Sequence, residues 1–100
     1  MAITLAQVKK YLRIDSDEED ELLESFMSTA EAYLKGAVTN FEDYYSTYDD
    51  FVSKADFAQM ILVAEFYLNR DNEETKFSYA TNSLMVQLQF FVVGEEGDNH

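Results

Sequence analysis

The chain has 100 residues, of which 47% are hydrophobic and 15% aromatic, and its formal net charge is −13. A chain of this length forms one small domain and is too short for a second, and some of its aromatic side chains are expected to stay exposed unless a partner covers them. The one local concentration of basic residues, Lys9, Lys10 and Arg13, is expected to be a solvated face, so direct binding to DNA phosphates is not expected.

The residue types that common catalytic and metal sites need are scarce. The sequence has no cysteine, and its one histidine is His100, so no Ser-His-Asp or Cys-His arrangement can form and neither an enzyme nor a cofactor is predicted. A calcium loop that began at Asp15 would need glycine and glutamate where Asp20 and Phe26 stand, so no metal site is predicted. The lack of a signal peptide or long apolar run predicts a soluble intracellular product.

Residues 3–34 predict two short helices around an acidic joint. Thr4 can cap the first helix, and Gln7 can reach back to complete a capping box. The apolar positions recur at three- and four-residue steps, as on one face of a helix. In the first helix these positions are Leu5, Val8, Tyr11 and Leu12.

The second helix is predicted to begin within the acidic joint. Asp15, Ser16 or Asp17 can accept hydrogen bonds from its free amide groups. Gly36 is expected to end it in a left-handed conformation. Its apolar stripe comprises Leu22, Leu23, Phe26, Met27, Ala30, Tyr33 and Leu34. A helical hairpin or elbow follows from this pattern.

An aromatic segment in the middle of the chain predicts either a short helix or an ordered loop. Phe41, Tyr44, Tyr45 and Tyr48 follow at helical spacing after Asn40, which can cap a helix. Tyrosine combines a large apolar ring with a polar tip, which suits a surface that becomes buried when a neighbour docks. These rings therefore either roof the small core or form an interface.

Ser53, with Asp56 three residues later, predicts the start of a central helix that continues to Arg70. Further apolar residues lie off its main stripe, so the helix should be wrapped by other helices or by another subunit, with each apolar residue expected in the core. The main stripe comprises Phe57, Met60, Ile61, Ala64, Tyr67 and Leu68, and the residues off it are Leu62, Val63 and Phe66.

The last third predicts a polar break at residues 71–75, an extended segment at 76–80 and a final helix capped by Thr81 or Asn82. That helix contains Leu84, Met85, Leu88 and Phe91, but the uncharged residues 90–93 could equally form a strand. Residues 90–93 either pack into the core or contact a neighbouring subunit. The predicted fold is all-α: one domain, a bundle of about four helices, with irregular or extended segments near 37–50 and 76–80 and a polar tail at 94–100.

Three blocks of sequence resemble the small head-tail connector, or head-completion adaptor, proteins of tailed bacteriophages. They occur in the family's order and cover roughly half of the chain. The first comprises Leu5, Val8, Tyr11, Leu12, Arg13, Ile14 and Asp15, the second Asp20, Leu22, Leu23, Ala30 and Tyr33, and the third Ala64, Tyr67, Asn69 and Arg70. The sequence departs from the family in its long aromatic segment after Gly36 and at Gln89 and Phe90, where a more basic ending is expected, so contacts of those regions are not carried over.

The resemblance implies a structural adaptor that forms a ring of about twelve copies beneath the portal protein and joins the head to the tail. It also implies a tail-side partner, a stopper or tail-completion protein, and a place in the virion after synthesis in the host cytoplasm. No membrane partner is expected. Candidate interface residues are Tyr44, Tyr45, Tyr48, Phe90, Phe91, Val92 and Val93.

Acidity suggests how DNA could pass such a ring without specific binding, because carboxylates lining the channel would repel its phosphates. The candidate acidic channel wall comprises Asp15, Asp17, Glu18, Glu19, Asp20 and Glu21. Two alternatives fit the same composition. One is an acidic DNA mimic that occupies a host nuclease or repressor, and the other is a small helical regulatory module without a ring.

Overall fold

The computed structural model describes residues 3–70 and 79–90, and the side chains of all of these except residues 79 and 80. The described chain is all-α, as predicted, and its helices form one small domain. Five helices occur in these two ranges, one more than expected. They are α1 (Leu5–Leu12), α2 (Asp20–Ala37), α3 (Phe41–Thr47), α4 (Asp49–Leu68) and α5 (Tyr79–Gln89).

Helix α4 lies at the centre and packs against all four other helices, as the sequence predicted for a central helix. It runs antiparallel to α2, because Tyr67 near its end contacts Glu19 at the start of α2 and Gln59 in its middle donates to the Met27 carbonyl oxygen. Among the described side chains, the buried positions are apolar apart from Gln59 and Thr81. The core includes Val8, Leu23, Ala30, Leu34, Val38, Phe41, Phe51, Ala55, Ala58, Leu62, Val63, Met85 and Leu88.

The face of α4 that enters the core differs from the predicted one. Leu62 and Val63, which lie off the predicted main stripe, are fully buried, whereas Phe57 and Leu68 on that stripe are exposed. The expectation that each apolar residue of this helix lies in the core was therefore wrong for these two. Because α4 is apolar nearly all round, its periodicity could not identify the inner face.

The capping box of α1 is confirmed. Thr4 Oγ1 accepts a hydrogen bond from the Gln7 amide at 3.2 Å, and Gln7 Oε1 accepts one from the Thr4 amide at 2.9 Å. Two amide groups that the helix itself cannot satisfy thus have partners. The helix ends at Arg13, which adopts a left-handed conformation (φ 60°).

Replacement of Thr4 by alanine is expected to lower the free energy of unfolding by about 1 kcal/mol, because the Gln7 amide loses its acceptor at the start of a two-turn helix. Urea unfolding followed by circular dichroism measures this change. Thr39→Ala, at an exposed position outside the helices, is the control and should leave the midpoint nearly unchanged. An equal loss in both variants would contradict a capping role for Thr4.

Helix α2 begins and ends later than predicted. Its first residue is Asp20, and Glu19 at the N-cap makes no side-chain capping hydrogen bond, so capping by Asp15, Ser16 or Asp17 was wrong. The helix also continues past Gly36 to Ala37 and ends at Val38 in an extended conformation. The left-handed residue comes at Asn40, whose side chain makes no capping hydrogen bond to α3.

The segment 37–50, predicted to be irregular or extended, is largely helical. It contains α3, so of the two predicted alternatives the short helix is confirmed. Helix α4 begins at Asp49, four residues before the predicted cap Ser53. Only Tyr48 separates it from α3.

Helix α5 also begins earlier than predicted. Its first residue is Tyr79, so Thr81 and Asn82 lie inside the helix rather than at its cap. Residues 79 and 80 are helical, which corrects the end of the predicted extended segment. The rest of that segment, the polar break at 71–75, the possible strand 91–93 and the tail 94–100 lie outside the described residues.

Candidate assembly surfaces

The acidic joint between α1 and α2 is organised around Lys9. Its Nζ atom lies 2.7 Å from Asp17 Oδ1 and 2.8 Å from Asp20 Oδ1, although its side chain is only 16% exposed. Asp20 Oδ1 is buried and receives no well-aligned hydrogen bond within residues 3–70 and 79–90, so the ammonium group compensates its charge. Two of the six predicted channel-wall acids are therefore held in internal ion pairs.

Glu19, a third acid of the predicted wall, joins the start of α2 to the end of α4. It accepts a hydrogen bond from the Tyr67 hydroxyl at 2.7 Å, and Arg70 Nε lies 3.7 Å from its carboxylate. The Arg70 guanidinium also lies over the Tyr67 ring at 4.2 Å and donates to the Tyr67 carbonyl oxygen. The hydrogen bond to Glu19 raises the pKa of Tyr67 above its usual value.

The same junction continues to α5. Asn69 donates to the Glu65 carbonyl oxygen at 2.8 Å, and the Glu65 carboxylate accepts a hydrogen bond from the buried Thr81 hydroxyl at 2.9 Å. Three residues that carried the family resemblance, Tyr67, Asn69 and Arg70, thus lie where α2, α4 and α5 meet. Tyr67 and Arg70 join α4 to α2 through Glu19, whereas Asn69 bonds to the last turn of α4 itself.

The other members of the predicted channel wall are open to solvent. Asp15, Glu18 and Glu21 are exposed, and the Asp17 side chain is 86% exposed despite its ion pair with Lys9. Asp15, Glu18 and Glu21 are thus exposed, Glu19 and Asp20 make internal contacts, and Asp17 is both exposed and ion-paired. A channel-wall role stays a prediction.

The Lys9 ion pairs make stability depend on pH. The hydrogen bond from Lys9 holds the pKa of Asp17 below its usual 3.8, so the stabilisation is fully present above 3.8 and lost as the pH falls through the lower folded-state value. The hydrogen bond to Asp17 and the adjacent Asp20 carboxylate raise the pKa of Lys9 above 10.5, so the stabilisation is present below 10.5 and lost at higher pH. Lys9→Met should therefore be less stable than the native chain at neutral pH, and the difference should shrink below pH 3.8.

Urea unfolding midpoints from pH 2 to pH 8 measure this difference. Lys10→Met is the matched control, because Lys10 is the next residue, is exposed and has no carboxylate partner in the described part of the chain. A Lys9→Met deficit that is equally large at pH 2 and pH 7 would contradict the ion-pair explanation.

The tyrosines proposed as an interface pack against the core. Tyr45 stacks on Phe41, with 5.6 Å between ring centroids, and its hydroxyl donates to Asp56 at 2.7 Å. Tyr44 contacts the Phe51 ring edge-on at 5.7 Å, and Tyr48 contacts Tyr44 at 6.2 Å. All three tyrosines are half-buried. The rings therefore roof the core, as one of the two alternatives proposed, and a role in docking stays a prediction.

An uncovered apolar surface lies on α4 instead. Phe57, the half-buried Ile61 and Leu68, here called the outer α4 face, follow at steps of four and seven residues and so share one side of the helix. Phe57 is 55% exposed and Leu68 is 72% exposed. Sequence reasoning missed this surface because it assigned these residues to the core, although it did expect α4 to be apolar on more than one side.

A groove between α1 and α4 borders this face. It has a volume of about 650 Å³, and its lining includes Lys10 and Tyr11 from α1, Ile3 from the segment before α1, and Phe57 and Met60 from α4. Tyr11 and Phe57 are both exposed. This cavity, here called the α1–α4 groove, is large and apolar enough to receive side chains from a partner.

The predicted C-terminal interface is only partly described. Phe90 is 62% exposed, and Val86 on the preceding turn of α5 is also exposed. Phe91, Val92 and Val93 lie outside the described residues. Gln89 donates to the Ala37 carbonyl oxygen at 3.3 Å, which holds the end of α5 beside the end of α2.

Within the two described ranges, no group of three or more histidine, cysteine, aspartate or glutamate residues is arranged to hold a metal ion. Among the described helices, none is long and apolar enough to cross a membrane. The fold and surface thus define a small, acidic, all-helical domain with an uncovered apolar face.

The class of protein is given by comparison with known families. Residues 2–90 match the family model described as phage gp6-like head-tail connector protein, so the chain belongs to that family. As a member of this family it is a structural phage protein of the head-tail connector class. No curated protein and no solved structure matches the chain.

Proposed function

We propose that copies of this protein form a ring of about twelve subunits beneath the portal, joining the DNA-filled head to the tail and forming part of the DNA channel. The portal binds one side of the ring, and a stopper or tail-completion protein binds the other. The protein is made in the host cytoplasm before it enters the virion. Residues 1–100 act as one connector domain with a polar tail.

The uncovered apolar surface of α4 is the observation that supports a ring. A ring requires a heterologous interface, in which one face of a subunit meets a different face of the next. Phe57 and Leu68 place exposed apolar area on one side of the domain, and Phe90 places more at the end of α5. Burial of such apolar area between subunits favours association by about 25 cal/mol for each Å² that is removed from water.

Native mass spectrometry across protein concentration and salt tests the ring, with electron microscopy of any large species. The mutual repulsion of 13 net negative charges opposes assembly at low salt, so rings are expected as ionic strength rises or when portal is added. Annular particles would support the proposal. Monomers that do not bind the portal but bind a basic host protein in a salt-sensitive way would overturn the ring proposal and support the DNA mimic.

The exposed acids of the joint supply a test of the channel wall. Reversal of Asp15, Glu18 and Glu21 to lysine is expected to slow DNA ejection from assembled particles, because the wall would then attract phosphates. These three residues are exposed, so the triple variant should fold normally. Ejection kinetics from purified particles provide the measurement, with Glu24→Lys on α2 as a single-site control. Unchanged ejection would place these acids away from the channel.

A further inference from the structure

We propose that residues 90–93 of one copy bind in the α1–α4 groove of the next copy, and that the acids after them contact Lys10 and Arg13. This inference rests on the proposed ring and names the two faces that meet. The groove supplies the receiving face, with Tyr11, Phe57 and Met60 as its apolar lining. Its volume of about 650 Å³ can accommodate a few large side chains against an open groove.

The apolar part of the proposed occupant begins within the described residues. Phe90 is one of the most exposed large apolar side chains in the described chain, and Val86 adds exposed area one turn earlier. The sequence continues with Phe91, Val92 and Val93, so four uncharged residues follow one another. Burial of such an apolar run against a neighbouring subunit lowers the free energy of the assembly.

Charge complementarity selects this occupant for this groove. Among the described basic residues, Lys9, Lys35 and Arg70 have carboxylate partners, whereas Lys10 and Arg13 are exposed without any. Lys10 lines the groove, and Arg13 lies about one turn further along the chain; the one acid of the described lining, Asp56, accepts a hydrogen bond from the Tyr45 hydroxyl. The sequence after Val93 contains Glu95, Glu96 and Asp98. Glu95 follows Val93 by two residues, about 7 Å of extended chain, which suits an apolar contact flanked by ion pairs.

The two faces lie on different parts of one subunit, as a ring requires. Gln89 holds the end of α5 beside the end of α2, while the receiving groove lies between α1 and α4. Binding between copies is therefore heterologous and leaves one free groove and one free C-terminal segment at each end of an open chain. Closure into a ring fills both.

Disulfide crosslinking tests the contact directly, because the chain has no native cysteine. The full chain carrying Met60→Cys on the groove floor and Val92→Cys in the segment should form dimers, trimers and longer ladders on oxidation, since a disulfide requires close Cα atoms. Ser25→Cys with Val92→Cys is the control, because Ser25 is exposed on α2. The ladder should be several-fold stronger in the groove pair than in this control.

Each outcome of the crosslinking decides the proposal. An intermolecular ladder supports it, whereas a disulfide within one chain shows that the segment fills its own groove and overturns it. Rings seen by native mass spectrometry without the groove crosslink would overturn this contact and leave the proposed function standing. Failure of any assembly, alone or with portal, would overturn both.

A charge-reversal experiment distinguishes loss of the ion pairs between copies from loss of the fold. Lys10→Glu with Arg13→Glu should lower the crosslinked fraction several-fold, and adding Glu95→Lys and Glu96→Lys to the same chain should restore it, because the ion pairs form again with reversed signs. Circular dichroism checks that each variant keeps its helices. Equal crosslinking in the native and the charge-reversed chains would show that Lys10 and Arg13 do not contribute to the interface.

Discussion

Replacement of Phe51 by alanine is expected to lower the free energy of unfolding by about 3–5 kcal/mol and to leave the domain partly or fully unfolded. Phe51 is fully buried in the first turn of α4. Its ring contacts Phe41 edge-on at 5.2 Å and Tyr44 at 5.7 Å, so it joins α3 to the central helix. The substitution removes both aromatic contacts and leaves a cavity that the short α3 cannot fill.

The matched control is Phe57→Ala, which removes the same side chain from the same helix at a site that is 55% exposed. This change should cost less than about 1 kcal/mol, because little packing is lost. Urea unfolding followed by circular dichroism compares the two variants. Similar losses in both would mean that α4 does not present its faces as described, with Phe51 inward and Phe57 outward.

Local signals in the sequence predicted local structure well. Thr4 and Gln7 stand three residues apart just before an apolar stripe, and the capping box that they predict is present. The all-α class and the central position of α4 were also predicted correctly, because long runs of apolar residues at helical spacing are hard to accommodate in strands or loops. The three blocks of family resemblance added the class of protein, which no local signal contains.

Helix boundaries were less predictable because several residues could each have served as a cap. Asp17 was a plausible cap for α2, but its carboxylate instead binds Lys9, eight residues earlier. Gly36 could have ended α2, but the Val38 amide still donates to the Leu34 carbonyl oxygen, so the helix continues past it. At Asp17 a contact to another helix decided between local options of similar free energy, whereas at Gly36 a backbone hydrogen bond of α2 itself continued the helix.

The inner and outer faces of α4 could not be predicted because the deciding contacts are distant in sequence. Gln59 is buried because its amide donates to Met27, 32 residues earlier, and Tyr67 contacts Glu19 across 48 residues. A single sequence does not reveal such pairs. Consequently Phe57 and Leu68 were assigned to the core, and the uncovered surface became evident only from the packing.

The outer α4 face is expected to control assembly without affecting the fold. Substitution of Phe57 and Leu68 together by serine should raise the protein concentration needed for ring formation about a hundredfold or more, since each large apolar side chain buried at an interface contributes about 1.5–3 kcal/mol. Both side chains are exposed, so the helical circular dichroism spectrum and the unfolding midpoint should change little. Native mass spectrometry at matched concentration and salt measures the assembled fraction.

The matched control is the double variant Leu22→Ser and Tyr33→Ser on α2. These residues are also exposed, apolar and eleven positions apart, so they place the same change on a different helix. Assembly should persist in this control, because the proposed contact joins α4 of one subunit to the end of α5 of the next. If the α2 variant remained monomeric while the α4 variant still formed rings, the subunit interface would lie on α2, and the uncovered surface of α4 would be left to face the portal or the tail.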